Sequence, residues 1–201
     1  MAEPDPIIIE WVDATKLGDQ EAFAELVYTF QDPVYNLCYR MLGESGEAED
    51  ATQEAFLRAY MNIERYDTHR SFKTWVMSIA SNHCIDRLRK RRMQYVSLDD
   101  EPTAAALALS SNDPLPEQVT LQKERSEVIQ DLLLELDPDY RIAVILRYWY
   151  DYSYAEIAQT MNTTESAIKS RLFRARKSLA DLIGDSGDDG AELTHPQLKG
   201  N

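Results

Sequence analysis

Residues 153–177 read SYAEIAQTMNTTESAIKSRLFRARK. Ser153 and Glu156 hold the S-x-x-E spacing of a capping box, in which the hydroxyl accepts from an amide of the first turn and the carboxylate reaches back to the cap. A helix is therefore predicted to start at Tyr154. Tyr154, Ile157, Ala158 and Met161 follow at i, i+3, i+4 and i+7, which gives a short helix with one apolar face. Asn162-Thr163-Thr164 supplies a turn, because Asn tolerates the left-handed conformation and Thr164 is placed as the next N-cap. In the second helix Ile168, Leu172, Ala175 and Leu179 lie on one stripe. Ser166, Lys169, Ser170, Phe173, Arg174 and Lys177 occupy the opposite side. A major-groove helix uses Phe or methyl groups against thymine and Arg or Lys against guanine. The stretch is thus predicted to be a helix-turn-helix that reads a DNA duplex; a charged solvent face with one stray aromatic is the plainer alternative.

Upstream, residues 132–150 form a supporting scaffold of two helical stretches broken at Asp137-Pro138, with Pro138 suited to a first turn and Ile142, Ile145 and Leu146 supplying the packing. Arg147 is placed either to touch a phosphate or to make a surface ion pair. The amino-terminal half also reads as helices. Residues 7–17 end at Gly18, and Asp19 caps a helix carrying Phe23, Leu26, Val27 and Phe30. Pro33 is expected to interrupt or restart that helix, and Val34, Leu37, Cys38, Met41 and Leu42 carry the apolar stripe on to Gly43.

A third helix, residues 47–63, sets Ala48, Ala51, Ala55 and Ala59 at close-packing intervals, with Asp50, Gln53, Glu54 and Leu57 sharing another face. Taken alone, that acidic face is a solvated one. A polar loop over residues 65–73 precedes a helix over 74–93, where Trp75, Ile79 and Leu88 are candidate core residues and Asn82, Asp86 and Arg89 share a second face. The helix finishes in the basic run Arg87, Arg89, Lys90, Arg91 and Arg92.

The chain has 201 residues, seven Gly and eight Pro, with long stretches of good helix formers, so an all-α fold of two small helical domains is expected. Residues 95–116 read as an acidic, proline-punctuated flexible linker, and residues 184–201 as an acidic tail with a disordered composition. The net charge is −14, yet the positive charge is gathered into two blocks, one over residues 87–92 and one over 169–177. Such segregation suits DNA contact at two defined places and resists indiscriminate adhesion. No apolar run approaches the roughly 20 residues of a membrane span and no signal-peptide pattern opens the chain, so a cytoplasmic protein without membrane insertion is expected. Cys38 and Cys84 lack metal-ligand spacing and read as reduced core thiols, and no metal or cofactor site is predicted. With three histidines and no H-E-x-x-H, E-x-x-H or P-loop, nothing points to an enzyme.

Three ordered motifs carry a resemblance to bacterial sigma factors of the extracytoplasmic-function group: EDATQEAFLRAY at 49–60, FKTW at 72–75 with IASN at 79–82, and YAEIA at 154–158 with KSRLFRAR at 169–176. The resemblance covers residues 18–94 and 117–183 and implies a sigma region 2 helical bundle and a sigma region 4 with its helix-turn-helix. It implies a protein without enzymatic activity whose partners are core RNA polymerase, promoter DNA and an anti-sigma factor. Carried over by position, Asp50, Gln53, Glu54 and Leu57 become the polymerase-docking face. Tyr66, Ser71, Phe72, Asn82, Asp86, Arg87, Arg89, Lys90, Arg91 and Arg92 become the minus-10 surface, where flipped bases and phosphates of a melted strand are held. Arg147, Ser166, Lys169, Ser170, Arg171, Phe173, Arg174 and Lys177 become the minus-35 surface. Thr163 stands where such proteins often have an apolar turn residue. A free-standing regulator that binds a palindrome as a dimer and an α-helical enzyme are the competing readings. The acidic tail is a candidate electrostatic competitor for the basic helices.

Overall fold

The computed structural model describes residues 5–68, 70–97 and 117–185, and every regular element among them is helical. The expected linker and tail lie outside the described residues, apart from the ends of two helices. In chain order the α-helices are α1 (Pro6–Lys16), α2 (Gln20–Leu42), α3 (Ser45–Met61), α4 (Phe72–Ser97), α5 (Glu117–Leu134), α6 (Pro138–Tyr148), α7 (Tyr154–Thr160) and α8 (Glu165–Asp185), with a short 3-10 turn over Ile63–Arg65.

Helices α1 to α4 form the first bundle. Asp19 caps α2 as expected, its carboxylate accepting from the Glu21 and Ala22 amides at 2.9 and 3.1 Å. Pro33 departs from expectation, because α2 runs through it without a break. An internal proline removes one hydrogen bond and costs about 3 kcal/mol. Full burial of Leu26, Val34, Leu37, Cys38 and Met41 on the same helix, at about 1.5–3 kcal/mol for each large apolar side chain, outweighs it. The alanines of α3 are buried as read: Ala48, Ala51, Ala55 and Ala59 lie in the core and let α3 approach α2 and α4. Helix α4 starts two residues before the expected position and continues to Ser97, past the basic run and into the expected linker.

Helices α5 to α8 form the second group. Pro138 opens α6 under an Asp137 cap, as expected, and Ile142, Ile145 and Leu146 are fully buried. The two helical domains expected from the sequence are present, and their cores join in one hydrophobic cluster, with α5 and α6 packed on α2, and α6 and α7 packed on α4. Arg141, only 5% exposed, lies in this seam and donates to the carbonyls of Met41, Leu134 and Leu136. Burial pulls its guanidinium down to about 10, so it remains charged at neutral pH. The Tyr150 hydroxyl donates to the Pro33 carbonyl at 2.6 Å. At the end of α2, Gly43 has φ +84°, and a Cβ there would stand 2.8 Å from the Leu134 side chain. Glycine is thus required twice, for the left-handed cap and for the approach of α5.

Candidate nucleic-acid interface

The helix-turn-helix is built as its sequence reads. Glu156 accepts from the Ser153 amide at 2.8 Å and its own amide donates to the Ser153 hydroxyl at 3.2 Å, completing the capping box. The Ser153 hydroxyl and amide hold the Glu156 carboxyl below the usual carboxylate range. Asn162 takes the left-handed conformation at φ +48°, and the Thr164 hydroxyl caps α8 by accepting from the Ala167 amide at 3.2 Å. Ile157, Ala158, Ile168, Leu172 and Ala175 close the small core between α7 and α8.

With that face buried, Ser166, Lys169, Ser170, Phe173, Arg174 and Lys177 all point outward. Phe173 is 64% exposed, an aromatic ring held in water among cations. Arg174 reaches the Tyr140 hydroxyl at 3.4 Å, and the Lys169 ammonium lies 5.9 Å from the Tyr154 ring centroid. Arg147 and Arg171 are placed differently from the others. Arg147 is half-buried, donates to the Tyr152 carbonyl at 2.9 Å and stacks over Tyr154 at 5.5 Å. Arg171 is also half-buried, with its guanidinium 4.0 Å from the Met161 sulfur. Sequence reasoning missed a cleft of about 490 Å³ beside the start of α8, lined by Ser153, Ala155, Glu156, Gln159, Thr163 and Glu165. The exposed Gln159, on the polar side of so short a helix, was the available signal.

The second basic surface lies on α4. Asn82, Asp86, Arg89, Lys90 and Arg92 are exposed, and Arg87 and Arg91 are half-buried. Ser71 is exposed, but Tyr66 and Phe72 are only 5% and 2% exposed. Their rings form an aromatic cluster with Trp75 and Phe30, with centroid separations of 4.9–5.6 Å. The Tyr66 hydroxyl donates to the Arg70 carbonyl, and burial pushes its pKa up to about 12. In this arrangement the two aromatics anchor the loop from below and do not offer open faces for stacking.

The four arginines of α4 are already paired. Arg87 meets Glu47 at 3.3 Å, and Arg91 pairs with the same carboxylate. Arg89 meets Asp139 at 2.9 Å and Arg92 meets Asp137 at 3.7 Å.

On α3, Asp50, Gln53 and Leu57 are exposed and Glu54 is half-exposed, all on one face, with Leu57 at 53%. Glu54 accepts from Arg58 at 2.6 Å, which holds its carboxyl below the usual range. The apolar centre extends further than the sequence pattern suggested: Met61, one turn beyond Leu57, is 73% exposed. Cys38 and Cys84 are free and buried. Among the described residues, no cluster of His, Cys, Asp and Glu could hold a metal, and no helix is long and apolar enough to cross a membrane.

Comparison with known proteins converges on one family. Residues 26–93 match the family model of Sigma-70 region 2, and residues 126–179 match that of Sigma-70, region 4. The chain is 39% identical to the ECF RNA polymerase sigma factor SigW of Bacillus subtilis, over 87% of this chain and 95% of that one. It is 32% identical to the ECF RNA polymerase sigma-E factor of Escherichia coli K12, over 89% of this chain and 94% of that one. Among solved structures, CnrH in complex with the cytosolic domain of CnrY shares the fold, with a TM-score of 0.65 at 20% identity over 91% of this chain and 100% of that one.

Proposed function

The chain belongs to the extracytoplasmic-function group of RNA polymerase sigma factors, and from that premise we propose how its surfaces divide the work of promoter-specific transcription initiation. Residues 18–94 act as region 2 and residues 117–183 as region 4, with 95–116 as the tether between them. The observation that carries the reading is the outward face of α8, where Lys169, Ser170, Phe173 and Arg174 stand exposed behind a fully capped α7. In the major groove of the minus-35 element, Arg174 and Lys169 would donate to guanine edges and Phe173 would cover a thymine methyl. Ser166 and Lys177 extend this face. Arg147 and Arg171, with other partners to give up, serve at its margin as phosphate contacts.

Region 2 handles the melted strand. Asn82, Asp86 and Ser71 supply polar groups for base edges at the minus-10 element, and Arg87, Arg89, Lys90, Arg91 and Arg92 supply charge for phosphates. Tyr66 and Phe72 act beneath this surface by holding the loop in shape. The face made by Asp50, Gln53, Glu54 and Leu57 docks on core polymerase, and its mixture of acid and exposed apolar surface suits a protein partner with a basic rim.

The protein itself carries out no covalent chemistry and works in the cytoplasm, where the polymerase is. An anti-sigma factor is a further partner, for which the exposed apolar groove between α2 and α5, lined by Tyr39, Arg40, Ile129, Gln130, Leu133 and Trp149, offers a seat. The deciding experiment is transcription in vitro from mapped promoters with purified core polymerase. Transcription that depends on both the chain and the core supports the reading. Specific operator binding without any dependence of transcription on the chain would replace it with a free-standing regulator.

A further inference from the structure

We propose that Glu47 is a positioning residue for the melted strand: from α3 it orders Arg87 and Arg91 of α4 as a fixed pair of guanidinium groups for strand phosphates. Both arginines meet the same atom, Glu47 Oε1, Arg87 at 3.3 Å and Arg91 through its own Nη2. They stand four residues apart on α4, so about one turn, or ~6 Å of helix axis, separates them. Both are half-buried, and the Glu47 side chain is only 18% exposed. Arg89, Lys90 and Arg92 on the same stretch are exposed and have no partner on α3.

The backbone beneath Glu47 is itself fixed. Its amide donates to Glu44 Oε2 at 2.7 Å in the first turn of α3, and Ala48 and Ala51 next to it are fully buried. Because α3 and α4 pack within one bundle, the arrangement belongs to region 2 alone. The second carboxylate oxygen, Oε2, is buried without a hydrogen-bond partner, which costs free energy. For stability, a single arginine forked across both oxygens would serve better. Here one oxygen gathers two arginines instead, and the result is a set spacing between two cations.

That spacing suits a strand backbone. One carboxylate facing two guanidinium groups leaves a net positive charge, and each guanidinium has five N–H donors, of which Nη2 turns to Glu47. Donors therefore remain for phosphate oxygens. A long arginine side chain loses rotamer freedom when it is held by a ligand, and Glu47 imposes that restriction when the bundle folds, which lowers the cost of binding. The carboxylate thus aids an anion's site by fixing its donors, although its own charge repels the anion.

The inference rests on the reading of Arg87 and Arg91 as phosphate contacts, and its test separates the two. The full chain, held on saturating core polymerase, is titrated against a labelled single-stranded minus-10 oligonucleotide across a salt series. Glu47→Gln keeps the shape of the side chain and removes its negative charge, so simple electrostatics calls for tighter binding. Positioning calls for the opposite: about 3- to 10-fold weaker binding and a salt slope lower by ~0.7, the share of one phosphate contact. Glu25→Gln, the same charge change at an exposed position of α2, should leave both unchanged. Added to Arg87→Ala with Arg91→Ala, Glu47→Gln should cost nothing further, because it acts through those two side chains. If a lost thermal transition shows that Glu47→Gln does not fold, Glu47→Asp takes its place; it keeps the charge but withdraws it by one methylene, and about 2- to 3-fold weaker binding with a lower slope is expected. Binding as tight as wild type or tighter in whichever variant folds, or a further loss in the background lacking both arginines, refutes the positioning role. If Arg87→Ala with Arg91→Ala binds the oligonucleotide as tightly as wild type, the phosphate-contact reading fails instead.

Discussion

Helices α8 and α4 carry similar basic runs, and the molecule treats them in opposite ways. On α8 the buried stripe of Ile168, Leu172 and Ala175 turns Lys169, Phe173, Arg174 and Lys177 to the solvent, where Arg174 reaches the Tyr140 hydroxyl and Lys169 lies over the Tyr154 ring. On α4 four of the arginines meet carboxylates, from Glu47 on α3 and from Asp137 and Asp139 at the start of α6. The difference teaches that a basic cluster in a sequence reports capacity to bind DNA, whereas its availability is set by what packs beside it. A duplex reader can remain exposed because its specificity comes from base edges. Under the function proposed above, the α4 surface would grip strand phosphates, contacts that carry no sequence information, and it is the one whose arginines meet carboxylates.

The comparison breaks most severely at Arg141, whose burial between the two helical groups makes α6 a neighbour of α4 at all. Arg141→Ala would strand the Met41, Leu134 and Leu136 carbonyls in the seam and cost about 3 kcal/mol or more, given roughly 1.5–3 kcal/mol for a hydrogen bond to a charged group. Chemical denaturation monitored at Trp149 and Trp75 checks this; an unchanged midpoint would show the seam to be dispensable.

Next in size, Arg174→Ala should weaken minus-35 duplex binding about 10- to 100-fold, corresponding to ~1–3 kcal/mol for a base contact, and relax sequence preference at one position. Competition binding against single-base variants of the duplex distinguishes this from a uniform loss, which would demote Arg174 to a phosphate contact. Removing the capping box has a smaller expected effect: Ser153→Ala should cost ~1 kcal/mol, read as a lowered thermal midpoint.

Acid weakens the same device. Because the Glu156 carboxyl is held below its ordinary range by Ser153, its contribution is fully present at neutral pH and is lost as pH falls through and below the usual carboxylate range. The stability gap between wild type and Glu156→Ala should close over that interval, and a gap that persists at acid pH would contradict the assignment. Smallest of all, Lys90→Ala, which changes a cation with no ion pair among the described residues, should lower the salt slope of single-strand binding by ~0.7 with little change in sequence preference.

Much of this division was legible in the residues themselves. The Ser153–Glu156 box, the Asn162 turn, the Thr164 cap and the Asp19 cap are local devices whose partners lie within three residues, so spacing alone identifies them. The face of α8 followed from periodicity because its core stripe is unbroken. Pro33 was misread because the cost of a proline is local, while the burial of Val34, Leu37 and Met41 that outweighs it is supplied by other helices. Tyr66 and Phe72 pointed toward a base-stacking pocket, yet the aromatic cluster with Phe30 and Trp75 draws them inward, a contact between segments some forty residues apart.

By itself the sequence determined the helices, their caps and the outward face of the recognition helix, because those depend on interactions within one or two turns. The tertiary structure alone decided that α6 lies against α4, that Arg141 is buried against the ends of α2 and α5, and that Asp137 and Asp139 pair with Arg92 and Arg89 of α4. Those pairings join residues about fifty positions apart, and no periodicity within either helix encodes which of several acidic stretches will arrive there. Their choice comes from the fit of the apolar surfaces of α2, α5 and α6, which exists only once the helices have packed.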